Sequence, residues 1–455
     1  MPAPTIYRSS DANAPILTGA AGSALGVLNA CLVNGYGSVR ATATITSSGV
    51  TVANNDTITI DGTTYTWKTA LTPAANEVLI GASAATNLSN LAAAIGGWGV
   101  VNTNYGTGTA YQRNVQVTGL TATVLTLSAL RGGTGGNSIA LANTAANITL
   151  SGATLAGGSG TDTKAPLGWT SPFTTTNGAV YQAPAGTRMF LQVLDNASGT
   201  GLGRDALCYG WETMSAWNTG SGEFPTTAQV ATVGCVLRKS STVDQTARFW
   251  MLIGDDRTFY LFVISGDSAG VYMGFSFGDY YSLIPADPYK THIQGQSASQ
   301  TTAWTTGALG TAQGGINDSS NANSFIPRNY AWVGGSTCWI QVGDPGLVPS
   351  TAGTGTNFVG FEVLPNQSDG GLYLARVRII DPGTPGVTMS GSKNYRGYRR
   401  GLYHAVHQFS SFADGDTVNG SGVYAGRTFL FVKPLLGANN ASMIVVETTQ
   451  WDTSS

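Results

Sequence analysis

Residues 266–270 read Gly-Asp-Ser-Ala-Gly and fit the Gly-x-Ser-x-Gly pattern of hydrolase nucleophiles. In such enzymes the serine lies on a sharp turn between a strand and a helix, and the helix N-terminus helps to stabilise an oxyanion. Here the motif is followed by VYMGFSFGD, whose aromatic and β-branched residues favour another strand. We therefore expect Ser268 at the tip of a β-hairpin and predict no catalytic residue in this motif.

Histidines and cysteines, which serve acid–base, nucleophilic and zinc chemistry, are few and scattered. His292, His404 and His407 have no recognisable catalytic neighbours. The cysteines show neither CxxC spacing nor a nearby cluster of histidines; they are Cys31, Cys208, Cys235 and Cys338. A zinc site needs clustered ligands, so we expect reduced and mostly buried thiols.

Acidic turns and one glycine-rich loop are weaker candidates for ligand binding. Two acidic pairs could bind calcium, but each offers few of the roughly six to eight oxygens that this ion takes. These pairs are Asp255 with Asp256, and Asp414 with Asp416. The loop 131–136 lacks the Lys-Ser/Thr ending of a phosphate-binding loop. We expect solvated turn carboxylates and a turn between strands, and predict no metal-binding residue, no cofactor-binding residue and no cofactor.

The densest basic stretch of the chain runs through residues 391–409, GSKNYRGYRRGLYHAVHQF. Cations interleaved with tyrosines can bind nucleic acid or the phosphates of a glycan. The four cations are Lys393, Arg396, Arg399 and Arg400. Because four cations make a weak electrostatic footprint, we expect a solvated loop or a contact with an acidic partner here.

The composition of the whole chain indicates a β-rich protein with an uncharged polar surface. Charged residues make up 10% of the 455 residues, against about 25% in typical proteins, and 61 residues are glycine. A hydrophobic fraction of 42% can build cores, so disorder is not expected. The net charge of -2 provides no general attraction to nucleic acid or anionic membranes, so the expected partners are other proteins or a neutral glycan.

Targeting and membrane-spanning segments are not evident in the sequence. No stretch approaches the roughly 18 apolar residues of a membrane-spanning helix. The first residues, MPAPTIYRSS, lack the basic and apolar regions of a signal peptide. We therefore expect synthesis in a cytoplasm, with no membrane insertion and no nucleic-acid partner.

Residues 41–163 differ from the rest of the chain, because only six Lys, Arg, Asp and Glu residues occur there before residue 162. DTITIDGTTYTWKT predicts a hairpin with an Asp-Gly turn. In VLIGASAATNLSNLAAAIGG the apolar residues recur at helical spacing, with Ser83 as N-cap and Gly-Gly as the end. NVQVTG, TVLTLSAL and NSIALANT predict three more strands, so we expect an exposed α+β module inserted into a loop of a host.

The host is expected to be mainly antiparallel β, with a β-sandwich or jelly-roll-like architecture, because one strand-like run follows another with turn residues between them. The hairpin in RFWMLIGDDRTFYLFVIS is the strongest example. A short helix near residues 25–32 precedes an Asn-Gly stop. We assign residues 1–40 and 164–292 to an N-terminal β-rich host domain, 293–330 to a long polar loop or arm, and 331–455 to a C-terminal β-rich portion.

The module resembles a small unit that recurs in tail, fibre and other structural proteins of tailed bacteriophages. The resemblance lies in the DGTTYTWKT hairpin, the EVLIGASAATNLSNLAAAI helix and the GGTGGNS turn. The rest of the chain resembles a family of phage virion structural proteins, through stretches that include MPAPTIYRSSDANAPILTG, LVNGYG, GWTSPF, DDRTFYLFVISGD, RGYRRGLYHAVH and VVETTQWDT. The module separates LVNGYG from GWTSPF, which we expect to lie close together in relatives without it.

The resemblance implies a non-enzymatic virion structural protein, assembled in the bacterial cytoplasm in several copies with itself and with other phage tail or head-tail proteins. The module would project outward and could support attachment to a host surface glycan. Tyr65, Trp67 and Trp98 are candidates for stacking on sugars, with a place in the packed core as the alternative. The alternatives are a capsid decoration or head-fibre protein and a receptor-glycan hydrolase. The hydrolase stays open because the 24 acidic residues could form a catalytic pair in space, although no spacing in the sequence nominates one.

Overall fold

The computed structural model describes residues 3–97, 100–109, 112, 114–195, 205–226, 235–239, 246–264, 272–295, 324–328, 334–337, 339–342, 374–381, 394–405, 413–432 and 443–452. In this part of the chain the protein is mainly β, with several largely antiparallel sheets and two α-helices. The predicted fold class, a mainly β, sandwich-like protein, is confirmed.

The first eleven helices and strands lie between residues 5 and 150. In chain order they are β1 (Thr5–Arg8), α1 (Ser23–Leu28), β2 (Arg40–Ser47), β3 (Thr57–Ile60), β4 (Thr63–Lys68), β5 (Glu77–Leu79), α2 (Ala84–Gly96), β6 (Val115–Leu120), β7 (Val124–Gly132), β8 (Leu141–Asn143) and β9 (Ile148–Leu150).

The remaining elements are strands of the host. They are β10 (Thr170–Thr175), β11 (Gly178–Gln182), β12 (Phe190–Leu194), β13 (Ala206–Ala216), β14 (Thr219–Phe224), β15 (Val236–Leu237), β16 (Phe249–Gly254), β17 (Thr258–Ile264), β18 (Tyr272–Asp279), β19 (Tyr281–Ser282), β20 (Thr291–Gln294), β21 (Ser324–Arg328), β22 (Gly334–Thr337), β23 (Trp339–Val342), β24 (Leu374–Asp381), β25 (Asn394–Ala405), β26 (Thr417–Asn419), β27 (Thr428–Val432) and β28 (Met443–Glu447).

The host is a stack of three sheets. The central sheet has the strand order β1-β16-β17-β18-β20-β21-β22. One of its faces packs against a second sheet, formed by β10 to β15, and the opposite face packs against a third sheet, formed by β19 and β23 to β28. The stack therefore has two apolar interfaces, one on each side of the central sheet.

Strand β16 shows how the central sheet is covered on both faces. Trp250 and Leu252 lie in the core shared with the second sheet, whereas Met251 and Ile253, which alternate with them, lie in the core shared with the third sheet. A strand buried on both faces has a continuous apolar run instead of an alternation. The predicted hairpin of RFWMLIGDDRTFYLFVIS is confirmed, because β16 and β17 pair antiparallel along their lengths.

The described residues of the module form two four-stranded sheets and α2 around one apolar core. One sheet has the order β6-β7-β2-β9, and the other has the order β5-β4-β3-β8. The predicted hairpin, helix and three later strands are confirmed, and β2, β5 and β9 are additional strands. Strand β5 pairs in parallel with β4. A three-residue strand is too short for its alternation of side chains to be recognised in a sequence.

Local chemistry sets the ends of α2 and the turn of the hairpin. The hydroxyl of Ser83 accepts a hydrogen bond from the backbone N–H of Thr86 at 3.2 Å, and Gly97 ends the helix in the left-handed region. In the turn between β3 and β4, Asp61 and Gly62 have φ angles of 48° and 77°. Positive φ at both central residues is what a type I′ turn requires, and Asp-Gly tolerates it.

The predicted host helix is also present. α1 continues as a π-helical segment over Asn29–Asn34 and ends at Gly35, where the sequence places the stop. Leu25, Leu28 and Leu32 of this helix lie in the core between the central and second sheets.

The structure corrects the limits of the long loop predicted at 293–330. β20 continues to Gln294, β21 begins at Ser324, and the two strands pair with each other, so both ends of the predicted loop are strands. Residues 296–323 lie outside the described residues. β19 follows β18 in the chain but pairs with β25 in the third sheet. Strands of the N-terminal host segment and the C-terminal portion are thus hydrogen-bonded within one sheet.

Candidate functional site

The Gly-x-Ser-x-Gly motif connects two antiparallel strands. β17 ends at Ile264, β18 begins at Tyr272, and these two residues face each other across the pair. Ser268 itself lies outside the described residues. A strand follows the motif where a nucleophile elbow needs a helix, which agrees with the predicted hairpin.

The buried histidine of β20, His292, lies against β18 and β25. Its Nε2 is 3.2 Å from Ser276 Oγ, and the same hydroxyl accepts a hydrogen bond from Arg399 at 2.6 Å. Burial, reinforced by the charge of Arg399, holds the pKa of His292 well below its ordinary value. The side chain is fully buried, so this His-Ser contact does not face solvent. His404 lies on β25, and His407 is outside the described residues.

The basic stretch is not the solvated loop that we expected. It forms β25, and the side chains of Arg396, Arg399 and Arg400 are almost completely buried. Burying a guanidinium is costly unless a carboxylate pairs with it and its donors are satisfied. For Arg396 and Arg400, carboxylates from the connections of the central sheet supply this pairing, and Arg399 donates to the hydroxyl of Ser276. Lys393 lies outside the described residues.

Two bidentate ion pairs hold β25 against the central sheet. Arg396 donates to both carboxylate oxygens of Asp287, at 3.1 Å and 3.0 Å. Arg400 donates to both oxygens of Asp255, at 3.0 Å and 2.6 Å. Asp255 is therefore not a solvated turn carboxylate, which corrects that expectation. The basic stretch is an internal contact between layers.

The other acidic turn residues agree better with the prediction. The side chain of Asp256 is 41% exposed, and Asp414 and Asp416 are exposed as well. The glycine-rich loop 131–136 connects β7 to β8 through one short 3₁₀ turn, Thr134–Ser138, so the predicted turn between strands is confirmed.

Cysteines and aromatic residues that the sequence singled out lie in the interior. Cys31, Cys208 and Cys235 are buried and are not part of a disulfide, and Cys338 is outside the described residues. Tyr65 and Trp67 are fully buried in the core of the module, which decides against stacking of these two rings on a sugar. Trp98 lies outside the described residues.

A polar cleft of about 730 Å³ lies where the module meets the host. Asn29 and Asn34 line it from the end of the first helix, and Asn114 and Arg131 line it from the module. Arg131 donates to Asn34 Oδ1 at 2.8 Å, and Asn114 donates to Asp61 Oδ2 at 2.6 Å. Amide, guanidinium and carboxylate groups converging on one concave surface can bind the hydroxyl groups of a polar ligand.

Two hydrogen bonds lie in the lining of this cleft, where the module joins the host. Ser38 Oγ donates to Asp162 Oδ1 at 2.5 Å, and Arg40 donates to the backbone oxygen of Asn13 at 2.9 Å. Partial burial lowers the pKa of Arg40, and the nearby Asp162 opposes this shift. Sequence reasoning missed the cleft, because its residues come from segments as far apart as 13 and 162 and share no motif.

The module is joined to the host by two paired backbone segments. Three pairs of residues on the incoming and outgoing segments exchange backbone hydrogen bonds of 2.8 to 3.2 Å; they are Tyr36 with Lys164, Val39 with Ser159, and Thr42 with Ala156. Outside them, Lys164 Nζ lies 3.4 Å from Asp11 Oδ2. The two ends of the module therefore lie side by side, as an insertion at the tip of a hairpin requires.

Comparison with known proteins provides no further assignment. No protein-family model matches the chain, and no curated protein shows significant similarity to it. Among the described residues, no group of three or more His, Cys, Asp or Glu could hold a metal ion. In the same part of the chain, no helix is long and apolar enough to cross a membrane.

Proposed function

We propose that the protein is a non-enzymatic structural protein of a tailed-phage virion. It is present in several copies at the tail or the head-tail junction, and its module contributes to attachment to the bacterial surface. The phage-like stretches of the sequence support the identity. The observation that carries the role is the paired connection between residues 36–42 and 156–164, which presents a separately packed module on a layered β host.

The host portion suits a role in assembly. Its central sheet is covered on both faces, and charged side chains tie the central sheet to the third sheet. Such a host can keep its shape when it packs against other virion proteins, while the module stays available for contacts with the bacterial surface.

The cleft between module and host is the candidate for the glycan contact. Its lining groups, such as those of Asn114 and Arg131, are hydrogen-bonding groups with little net charge nearby, which suits a neutral sugar. Individual contacts of this kind are weak. Repeated copies on one particle convert weak contacts into firm attachment, because each bound copy raises the effective concentration of the next.

Electron microscopy of intact phage particles tests the proposal. Antibody raised against residues 41–163 and coupled to gold is expected to label the tail or its junction with the head. Antibody against the host is the matched control, and mass spectrometry of the same particles establishes whether the protein is present. Labelling spread over the shell would show capsid decoration instead, and absence of the protein from the particles would overturn a structural role.

Incubation of the purified protein with host polysaccharide tests the non-enzymatic part. We expect binding without release of oligosaccharides. Release that persists through purification and is lost on heat denaturation would show a glycan hydrolase.

A further inference from the structure

We propose that the protein forms an internal isopeptide bond between the side chains of Lys239 and Asp195. Lys239 Nζ contacts Asp195 Oδ1, and both side chains are fully buried. The bond would join the end of β12 to the end of β15 inside the host. It does not depend on where the protein is located in a particle.

The strand register places the reacting groups at one end of the second sheet. Asp195 follows β12, and Lys239 lies two residues after the end of β15. β12 and β15 both pair with the start of β13, with Leu194 opposite Leu207 and Leu237 opposite Ala206. The bond would therefore pass over the first residues of β13. Because the strands hold both groups in place, the reaction gains the high effective concentration of an intramolecular step.

Formation of an amide needs Lys239 as an amine and Asp195 as a carboxylic acid. An ion pair without water pays a desolvation penalty that its attraction does not always repay. A proton moved from the ammonium of Lys239 to the carboxylate of Asp195 gives an amine, which is nucleophilic, and a carboxylic acid, which is electrophilic. No net charge is created by this transfer.

A second carboxyl group, that of Asp205, can donate and accept a proton in this reaction. Asp205 directly precedes β13 and is buried beside Arg238, whose Nε lies 2.9 Å from its Oδ2. Burial raises the pKa of Asp205 to about 7, while the charges of Arg238 and Lys239 lower it and that of Asp195 raises it further. Asp205 can therefore carry a proton at neutral pH and lies within electrostatic reach of both reacting groups.

The reaction is a condensation that balances without an oxidant or a cofactor. The amine of Lys239 attacks Cγ of Asp195 and forms a C–N bond. Asp205 passes a proton to the departing oxygen, the C–O bond breaks, and one water leaves. Asp205 recovers its proton from the new nitrogen, so the products are one secondary amide and one water.

The hydrogen bonds around the pair fit the product. Asp195 Oδ2 accepts from the backbone N–H of Ala24 at 2.9 Å, and Lys239 Nζ donates to the backbone oxygen of Ala20 at 2.5 Å. After loss of Oδ1 as water, the remaining oxygen can keep the first bond and the amide N–H can keep the second. The site thus satisfies the polar atoms of the amide before it forms.

Mass spectrometry of the folded, then denatured, full chain tests the proposal. We expect a mass one water below that of the sequence, and a branched proteolytic peptide that joins the segments containing Asp195 and Lys239. An unmodified mass overturns the proposal. So does water loss confined to a linear peptide, which marks a cyclic imide at an aspartate.

Variants of Lys239 and Asp195 test whether these two residues form the bond. Lys239→Arg and Asp195→Ala are expected at their full calculated masses, and Asp195→Asn is expected to lose ammonia in place of water. Lys164→Arg is the matched control, because Lys164 also pairs with an aspartate but is partly exposed, so this variant keeps the water deficit. If Lys239→Arg fails to fold, the branched peptide of the unaltered chain decides the question alone.

Asp205→Asn tests the proton relay. Because denaturation does not break an amide that has already formed, the crosslinked fraction is followed by mass from the moment of cell-free synthesis. We expect crosslinking to be at least tenfold slower in Asp205→Asn than in the unaltered chain. Equal rates would remove Asp205 from the reaction.

Discussion

The module and the host differ in how they treat charge. In the module, the core is built from apolar strands and one helix. Among the module's described residues, Glu77 is the only buried Asp, Glu, Lys or Arg. The host buries aspartates and arginines between its central and third sheets, in bidentate pairs such as Arg400 with Asp255. Buried pairs add little net stability but are costly to break. The core of the module is thus held without buried ion pairs among its described residues, whereas the host layers are also aligned by charge.

The largest effect is expected from breaking one of the host pairs. Arg400→Met leaves Asp255 buried without its cation, so the free energy of unfolding of the host should fall by about 3–5 kcal/mol. Chemical denaturation followed by tryptophan fluorescence measures it. The control is Arg131→Met in the module, where the side chain is exposed and the change should be negligible.

A double variant sharpens this result. Arg400→Met with Asp255→Leu should be less destabilised than the two single variants together, because neither charge remains unpaired. If Arg400→Met is as mild as Arg131→Met, the buried pair does not align the layers.

The next largest effect is expected from cavities made in the module core or in the host core, which test whether the two cores are separate. Leu91 on α2 is fully buried in the module core, and Leu252 on β16 is fully buried in the host. Leu91→Ala should cost about 2–5 kcal/mol within the module only, because it leaves a cavity there. Hydrogen exchange should accelerate in β2 to β9 and stay unchanged in β16 to β18. Leu252→Ala should give the reverse pattern, and acceleration in both regions by either variant would contradict separate cores.

A smaller effect concerns pH. His292 is neutral in the folded host, whereas the unfolded chain takes up a proton there below about pH 6.5. At this residue the unfolded state then binds more protons, so the contribution of His292 to host stability falls as pH drops below 6.5, by up to about 1.4 kcal/mol per pH unit. Residues 41–163 contain no histidine, so the module should lack this slope.

Unfolding of the unaltered chain and of His292→Gln between pH 7 and pH 5 measures the contribution. Relative to the variant, the unaltered chain should lose stability in the host transition as the pH is lowered. Identical slopes in the two proteins would mean that the imidazole is not held neutral in the folded state.

The smallest effect is expected from removing the module. Val39 and Ser159 are paired, so replacement of residues 40–158 by Asn-Gly can close the two segments with a type I′ turn. The host should then unfold at the same denaturant concentration as in the full chain. Near-ultraviolet circular dichroism checks its tertiary packing, and a host that no longer folds would contradict an insertion.

Much of the module could be read from its sequence. The Asp61-Gly62 turn and the Ser83 cap act on residues at most a few positions away, so their chemistry is visible in a short stretch. The same holds for the hairpin of β16 and β17, which has a short turn between strongly apolar runs. Strand β5 could not be found in this way. Its three residues have no recognisable pattern, and they form a strand because they pair with β4.

The cleft and the buried ion pairs could not be read in the same way. Asp287 lies 109 residues before Arg396, and Asp255 lies 145 residues before Arg400. Nothing in the spacing of the basic stretch distinguishes a solvated loop from a strand that faces carboxylates. The continuous apolar run of β16 did carry a signal for burial on both faces, but not the identity of the covering sheets.

The sequence by itself determined the local elements, the mainly β class and the composition of the module, because turn chemistry, capping and side-chain period act between near neighbours. Only the tertiary structure decided that three sheets stack in the host, that Arg396 and Arg400 are interior, and that Lys239 meets Asp195. These outcomes depend on which distant strands pair and which faces pack. Pairing and packing are chosen by the free energy of the whole chain, so no single stretch contains them.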